Sequence, residues 1–407
     1  MDDTEIKYIC KYGQIVYNRC TENKTEKTGR KPVGDTVKKI VLITSSYTGH
    51  GHKSISDSLM EQFSEMPDLE VRVVDGFELL GEIGVQLSKM YGPMTRYASH
   101  FWKVTWDISD RSDRLLKSGI SSFSLIRFRQ LMESFQPDLI LSVHSMFNGS
   151  ILKLLRHSHL NIPLVTLQAD IINIHKTWCE PGTLKTICPT PEAYECSLKH
   201  GMPADKLVLM GFPTRRRFTD LARTCNKPDY DGSRPLRCLM MSGGEGSGNL
   251  KRYASVLLSE TDVELTIICG RNKKIRKSLI EAFLPQYAGR LRVLGFVTEI
   301  QNEMADSDLL IARGSPNSLM EGVVMNLPLM VTGALPGQER DNPRLIADHR
   351  LGVISNSPEE APALIRQLLA DDQRLYREIR AAQREYRNLD NAKNIAEYVV
   401  GLIPAGK

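Results

Sequence analysis

Leu327-Pro328-Leu329-Met330-Val331 runs, a few residues later, into Pro336-Gly337-Gln338-Glu339-Arg340-Asp341-Asn342. The apolar run reads as a buried parallel strand. Gln338, Glu339 and Asn342 then crowd donors and acceptors at a strand-to-helix junction, where ligands bind in open α/β sheets. Amide and carboxylate groups three or four residues apart suit a polyhydroxylated ligand such as a sugar. The alternative is a plain helix start, with Pro336 and Gly337 turning the chain and Asp341 or Glu339 near the cap.

Upstream loops of the same kind favour the ligand. Ser242 to Gly248 reads Ser-Gly-Gly-Glu-Gly-Ser-Gly after the apolar run Leu239–Met241. Gly295-Phe296-Val297 closes another strand, and Arg313-Gly314-Ser315-Pro316-Asn317-Ser318-Leu319-Met320-Glu321 opens a helix after Leu309–Ala312. Such loops at successive strand ends are more specific as a set than any one of them. Strands are expected at Arg237–Ser242, Glu264–Cys269, Arg292–Leu294, Asp308–Ala312 and Pro328–Val331, with helices after Glu359.

The N-terminal half has the same βα rhythm. Lys39–Thr44, Val71–Asp75, Leu139–His144, Pro163–Leu167 and Lys206–Met210 read as strands, and a helix with Ile55, Leu59, Met60 and Phe63 on one face follows the first of them. The expected fold class is α/β, with two Rossmann-like parallel-sheet domains facing a cleft. The divisions are a polar leader over 1–37, a first domain over 38–214, a linker over 215–235, a second domain over 236–370 and a helical segment over 371–407.

The chain of 407 residues, 41% hydrophobic and 25% charged, has an ordinary globular composition. A net charge of +5 permits attraction to anionic surfaces without requiring nucleic acid. Its eight cysteines form no CxxC pair. With no basic, apolar start of a signal peptide, free thiols in a reducing cytoplasm are expected. No apolar run approaches the ~18 residues of a membrane span, so any membrane contact is expected to be peripheral. Gly84 to Gln130 interleaves Lys89, Arg96, Lys103, Arg111, Arg114, Lys117, Arg127 and Arg129 with Trp102, Trp106, Phe123 and Phe128. That pattern suits a membrane interface, or a single-stranded nucleic-acid platform, or helices that turn their aromatics inward.

Candidate chemistry lies in the first half. Asp170 and His175 follow the Pro163–Leu167 strand, with Trp178 beyond. A carboxylate near a histidine can orient an imidazole or position a hydroxyl; the plainer reading is a capping Asp and a surface His. Asp306-Ser307-Asp308 has the DxD pattern of metal-dependent sugar transferases, but it leads directly into a strand and no second ligand cluster supports it. No nucleotide P-loop, GxSxG elbow or HExxH helix is present.

With Thr48-Gly49-His50-Gly51-His52, Val143-His144-Ser145-Met146, Asp170 with His175 and Trp178, Cys188-Pro189-Thr190, Gly211-Phe212-Pro213, Ser242–Gly248, Cys269-Gly270-Arg271-Asn272, Gly295-Phe296-Val297 and Pro336–Asn342 assembled, the chain resembles one family. It is that of the monogalactosyldiacylglycerol synthases and processive diacylglycerol glucosyltransferases. The resemblance spans roughly residues 38–352. It implies the glycosyltransferase-B fold and inverting transfer of galactose or glucose, from UDP-galactose or UDP-glucose, to a lipid hydroxyl such as diacylglycerol, with no cofactor and no metal. It implies that Gly243, Gly244, Glu245 and Gly246 cradle the diphosphate and that Phe296 and Val297 face the uracil. Glu321 would bind ribose, and Gln338, Glu339 and Asn342 the donor sugar. Arg313 would keep a positive charge and Ser318 a hydroxyl beside the phosphates. His52 matches the motif histidine and would be the general base, with Asp170 orienting it or the acceptor. The helix N-terminus is expected to depress its pKa. His50, His144, His175, Trp102 and Trp106 would contact or orient the acceptor. The implied partners are a UDP-sugar, a diacylglycerol-like lipid and an anionic membrane, not nucleic acid, with the protein cytoplasmic and peripheral on the inner face. A sugar-nucleotide epimerase and a non-catalytic UDP-sugar-binding protein share the fold and remain the alternatives.

Overall fold

The computed structural model describes residues 15–16, 37–46, 51–89, 113–225, 227–241 and 249–404. His50, Trp102, Trp106, Gly243, Gly244, Glu245 and Gly246 lie outside the described residues.

Two sheets carry the chain. The first contains β1 (Ile15–Val16), β2 (Lys38–Thr44), β3 (Leu69–Asp75), β4 (Leu139–Ser142), β5 (Leu164–Leu167), β6 (Lys185–Cys188) and β7 (Leu207–Leu209), in the order β1-β3-β2-β4-β5-β6-β7. All pairs are parallel except β1 with β3. The second contains β8 (Arg237–Met241), β9 (Glu264–Ile268), β10 (Leu291–Leu294), β11 (Leu309–Ala312), β12 (Leu329–Val331) and β13 (Gly352–Ile354), all parallel, in the order β10-β9-β8-β11-β12-β13. The central strands β4, β5 and β11 are buried along their whole length. Covered on both faces, they read as continuous apolar runs.

Each sheet reverses its winding once. After β3 the chain crosses over β2 to β4, and after β10 it crosses over β8 to β11. The carboxyl ends of β2/β4 and β8/β11 are therefore the two switch points, where a parallel sheet leaves a crevice for a ligand.

The sheets do not sit apart. One cluster of buried apolar side chains runs from Ile40, Leu42 and Leu141 of the first domain to Leu310, Leu319 and Val331 of the second. Ile395, Ala396 and Val399, on the last helix Asn391–Gly401, belong to it as well. That helix returns to the first domain and packs on the helix Gly51–Phe63. Gly211 makes the return possible. Its φ is +84°, and a Cβ there would lie 2.2 Å from the Asn391 side chain.

Three expectations need correction. The stretch 215–235 is not a bare connector: Arg216–Thr224 is a helix with Phe218 fully buried. Its high charge hides one apolar anchor. The helical segment expected over 371–407 is interrupted. One helix spans Ala361–Tyr386 with a break at Ala370–Gln373, and Arg387 is extended before the helix Asn391–Gly401 begins. Three strands, β1, β6 and β13, were not anticipated. β1 is a two-residue sheet edge within the expected leader, β6 carries Lys185 and Thr186, and β13 is a three-residue sheet edge.

Candidate active site

His52 is the second residue of the helix Gly51–Phe63, at the first switch point. Its Nδ1 lies 2.7 Å from the carbonyl oxygen of Val143, just beyond β4. A carbonyl can only accept, so Nδ1 carries the proton and donates it. Nε2 is thereby left with its lone pair, the tautomer a general base requires. The ring sits at 4.3 Å, centroid to centroid, from His144 and at 6.3 Å from Trp178. Burial pushes the His52 pKa down to about 4, opposed by the bond to Val143. The helix N-terminus expected to lower it is not the principal cause.

His144 is the N-cap of the helix Ser145–His157, its Nδ1 accepting from Met146 N at 3.4 Å. Its ring packs among Phe77, Phe147 and His52. Burial, and then the neighbouring His52, hold it well below the usual imidazole range. Its ring forms a wall beside His52.

Asp170 follows β5 and is only 3% exposed. Its Oδ2 accepts from the Trp178 indole N–H at 2.6 Å, and its Oδ1 from Gln338 Nε2 at 2.6 Å. A fully buried Trp needs an acceptor for its N–H, and this carboxylate supplies it. Gln338 belongs to the second domain, so the bond joins the two across the cleft. Burial raises the Asp170 pKa to about 6, against the two hydrogen bonds. His175 takes no bond from Asp170. It is buried and caps the single turn Lys176–Trp178, with Nδ1 2.8 Å from Thr177 Oγ1 and 3.2 Å from Thr177 N. The cap of this loop is the histidine, and the aspartate is the residue held at the cleft.

On the second sheet, Arg313 and Gly314 leave β11 beside the loop that follows β12. Arg313 Nε lies 3.1 Å from Glu339 Oε2, which also accepts from Leu335 N at 3.0 Å. Asn342, fully buried, donates from Nδ2 to Gly314 O at 2.7 Å. Glu339 and Asn342 thus tie the two loops together, and Gly337, at φ +88°, turns the chain so that Gln338 faces Asp170. Glu321 and Ser318 are buried on the helix Pro316–Val324. Glu321 Oε1 receives Arg215 Nη2 at 2.7 Å. Burial raises the Glu321 pKa, and Arg215 counters it. Phe296 is 52% exposed beneath the Arg271 guanidinium, 4.6 Å from the ring centroid, with Val297 half-buried next to it.

Arg215 and Trp178 are the residues sequence reasoning left without a role. Arg215 hides in an Arg215-Arg216-Arg217 run that reads as a solvated linker. Asp308, of the DxD pattern, lies at the amino end of β11, away from the switch point. It is bound by Arg234 at 2.5 and 2.9 Å and by the Arg237 amide.

Residues 52–214 match the family model described as monogalactosyldiacylglycerol (MGDG) synthase. The Arabidopsis thaliana chloroplastic monogalactosyldiacylglycerol synthase 2 is 27% identical over 355 residues, covering 82% of this chain and 74% of that one. A processive diacylglycerol beta-glucosyltransferase of Staphylococcus carnosus is 27% identical over 348 residues, 83% of this chain and 86% of the other. Among solved structures, Acinetobacter baumannii MurG superposes with a TM-score of 0.59 at 14% identity, over 90% of this chain and 100% of that one. The fold is that of the glycosyltransferase-B proteins, and over most of its length the chain is similar to the monogalactosyldiacylglycerol synthases and to a processive diacylglycerol glucosyltransferase.

Proposed function

We propose that this protein is an inverting hexosyltransferase that moves galactose or glucose from a UDP-sugar to the hydroxyl of diacylglycerol or a similar lipid. The observation that carries the reading is the His52 tautomer, with Nδ1–H spent on Val143 O and Nε2 left to accept a proton. The acceptor oxygen attacks the anomeric carbon opposite UDP, its proton passing to His52 Nε2. The bond from that carbon to the UDP oxygen breaks as the new one forms, so an α-linked donor gives a β-glycoside. Charge on the departing diphosphate is met by Arg313, which then exchanges Glu339 for phosphate, and by backbone amides at the helix start. Gln338 exchanges Asp170 for a sugar hydroxyl when donor enters, and Glu321, held by Arg215, receives the ribose. Transfer of labelled hexose from UDP-galactose or UDP-glucose to diacylglycerol vesicles tests the proposal; a released epimer, or binding without transfer, contradicts it.

The acceptor is a lipid, so the protein must reach a membrane. Among the described residues no helix is long and apolar enough to cross one. The helix Asp113–Phe135 instead splits its apolar residues. Phe128 is fully buried, whereas Phe123 and Ile126 are 67% and 71% exposed, three residues apart on one face. With Arg127 and Arg129 beside them, they form a contact that inserts into the headgroup region. Replacing Phe123 and Ile126 together by Ser is expected to weaken sedimentation with phosphatidylglycerol vesicles by about tenfold or more, since each apolar side chain buried contributes ~1.5–3 kcal/mol. Raised salt should weaken it further. Unchanged binding would move the membrane contact elsewhere.

A further inference from the structure

Both crossings of the chain between the two sheets pass one cavity of about 120 Å³. The outgoing crossing contributes the end of the helix Arg216–Thr224 and Lys227. The returning one contributes Arg380 and Arg384 of the helix Ala361–Tyr386, and Arg387 just past it. Asn326, at the end of the helix Pro316–Val324, closes the wall.

No carboxylate lines this cavity among the described residues. The acids nearest its cations are already engaged. Asp229 is 2.6 Å from Arg380, and Asp308 is 2.5 Å from Arg234 and 3.5 Å from Lys227. Among the described residues Asp229 and Asp308 are the acids paired with Lys227, Arg234 and Arg380, while Arg387 Nη1 donates to the Val324 carbonyl at 2.6 Å. Burial lowers the Arg387 pKa first, and the charges of Arg384 and Arg380 lower it further, as expected where cations crowd. The Asn326 amide oxygen, turned toward the guanidinium groups, accepts from Nε and Nη2 of Arg380 and Nη1 of Arg384, each at 3.2 Å. One neutral oxygen stands among N–H donors of two arginines, in the arrangement arginines make around an oxyanion.

The geometry points to a binding site for a single phosphate-class oxyanion in this cavity, away from the cleft, where it joins the outgoing and returning crossings. The cavity has room for one tetrahedral oxyanion. The oxyanion accepts from Arg384 and Arg387 and relieves their repulsion. Because Asn391 and Asp390, a few residues on, bond Phe212 O and Arg223, fixing this corner fixes how the two domains are hinged. The site does not depend on the transferase reading.

The test uses the full chain with saturating UDP, so that phosphate does not compete in the cleft, and ionic strength held constant with sodium chloride. Inorganic phosphate is expected to raise the melting temperature by about 2–4 °C at saturation. Arg384→Gln, at an exposed position, should fold with an unchanged baseline and lose most of that shift; Lys227→Gln, on the other crossing, should also lose it, measured from a baseline lowered by the loss of its pairing with Asp308. Glycerol phosphate distinguishes the source. A shift equal to that of phosphate assigns an esterified ligand, and a smaller one the free ion. Absence of any shift with either compound, or an equal shift in both variants, overturns the site.

Discussion

His52→Ala is expected to fold, to bind UDP as the unaltered protein does, and to lose ~10²–10⁴-fold in turnover, the usual loss for a general base. The acceptor hydroxyl is a poor nucleophile until its proton leaves, and Nε2 of His52 is the acceptor the geometry provides. With its pKa pushed down to about 4, the ring is neutral throughout the physiological range, so base activity should be lost only below about pH 4. The linkage runs in the same direction. The folded pKa is depressed below the unfolded 6.5, so the unfolded chain takes the proton first as pH falls from about 6.5 to about 4. Folding stability drops across that window, and His52→Ala removes this part of the drop. His50→Ala should cost less than His52→Ala. Steady-state rates at saturating donor and acceptor decide the matter, and near-normal turnover in His52→Ala would hand the role to Asp170.

Asp170→Asn should change the shape of the pH profile. Burial raises the pKa of this carboxyl to about 6, so its ionised form disappears as pH falls through about 6. If the carboxylate receives the acceptor or steadies the charge forming on His52, kcat/KM falls through the same range. In Asp170→Asn that limb should vanish, leaving the His52 limb near pH 4, with a rate at pH 8 reduced about 10- to 100-fold. Such a loss corresponds to one charged hydrogen bond of ~1.5–3 kcal/mol. The sign for stability is opposite to that of His52. A carboxyl raised above its unfolded 3.8 takes a proton first in the folded state, so its ionisation costs stability as pH rises from about 4 to about 6. A profile with the limb near pH 6 retained in Asp170→Asn would assign that titration to another group.

The architecture was legible because buried parallel strands are continuous apolar runs. Leu309–Ala312 and Leu329–Val331 are apolar at every position, and β11 and β12 occupy them. What failed was whatever lacked that signal. The edge strand β13 is three half-exposed residues, and β6 begins with Lys185. In the site, His52, Asp170 and Gln338 could be singled out as residue types at strand ends. Their partners could not. Val143 offers only a backbone oxygen, and nothing in sequence distance announces a bond between Asp170 and Gln338. Trp178 is core, yet its one polar atom holds the aspartate. Arg215 reads as linker because charge runs usually are solvated, and only burial of Glu321 shows why a cation is needed there. For Gly84–Gln130, Phe123 and Phe128 look alike in the sequence, and only the helix they share sets one outward and the other inward.

The central claim rests on one product. Purified full-length protein is incubated with vesicles containing diacylglycerol and with UDP-galactose or UDP-glucose, and the lipid fraction is examined by proton NMR. The account predicts a hexosyl-diacylglycerol whose anomeric proton shows the large diaxial coupling of a β-linkage, formed with an equal amount of UDP. An α-linked product, or consumption of UDP-sugar with no sugar on the lipid, would contradict it.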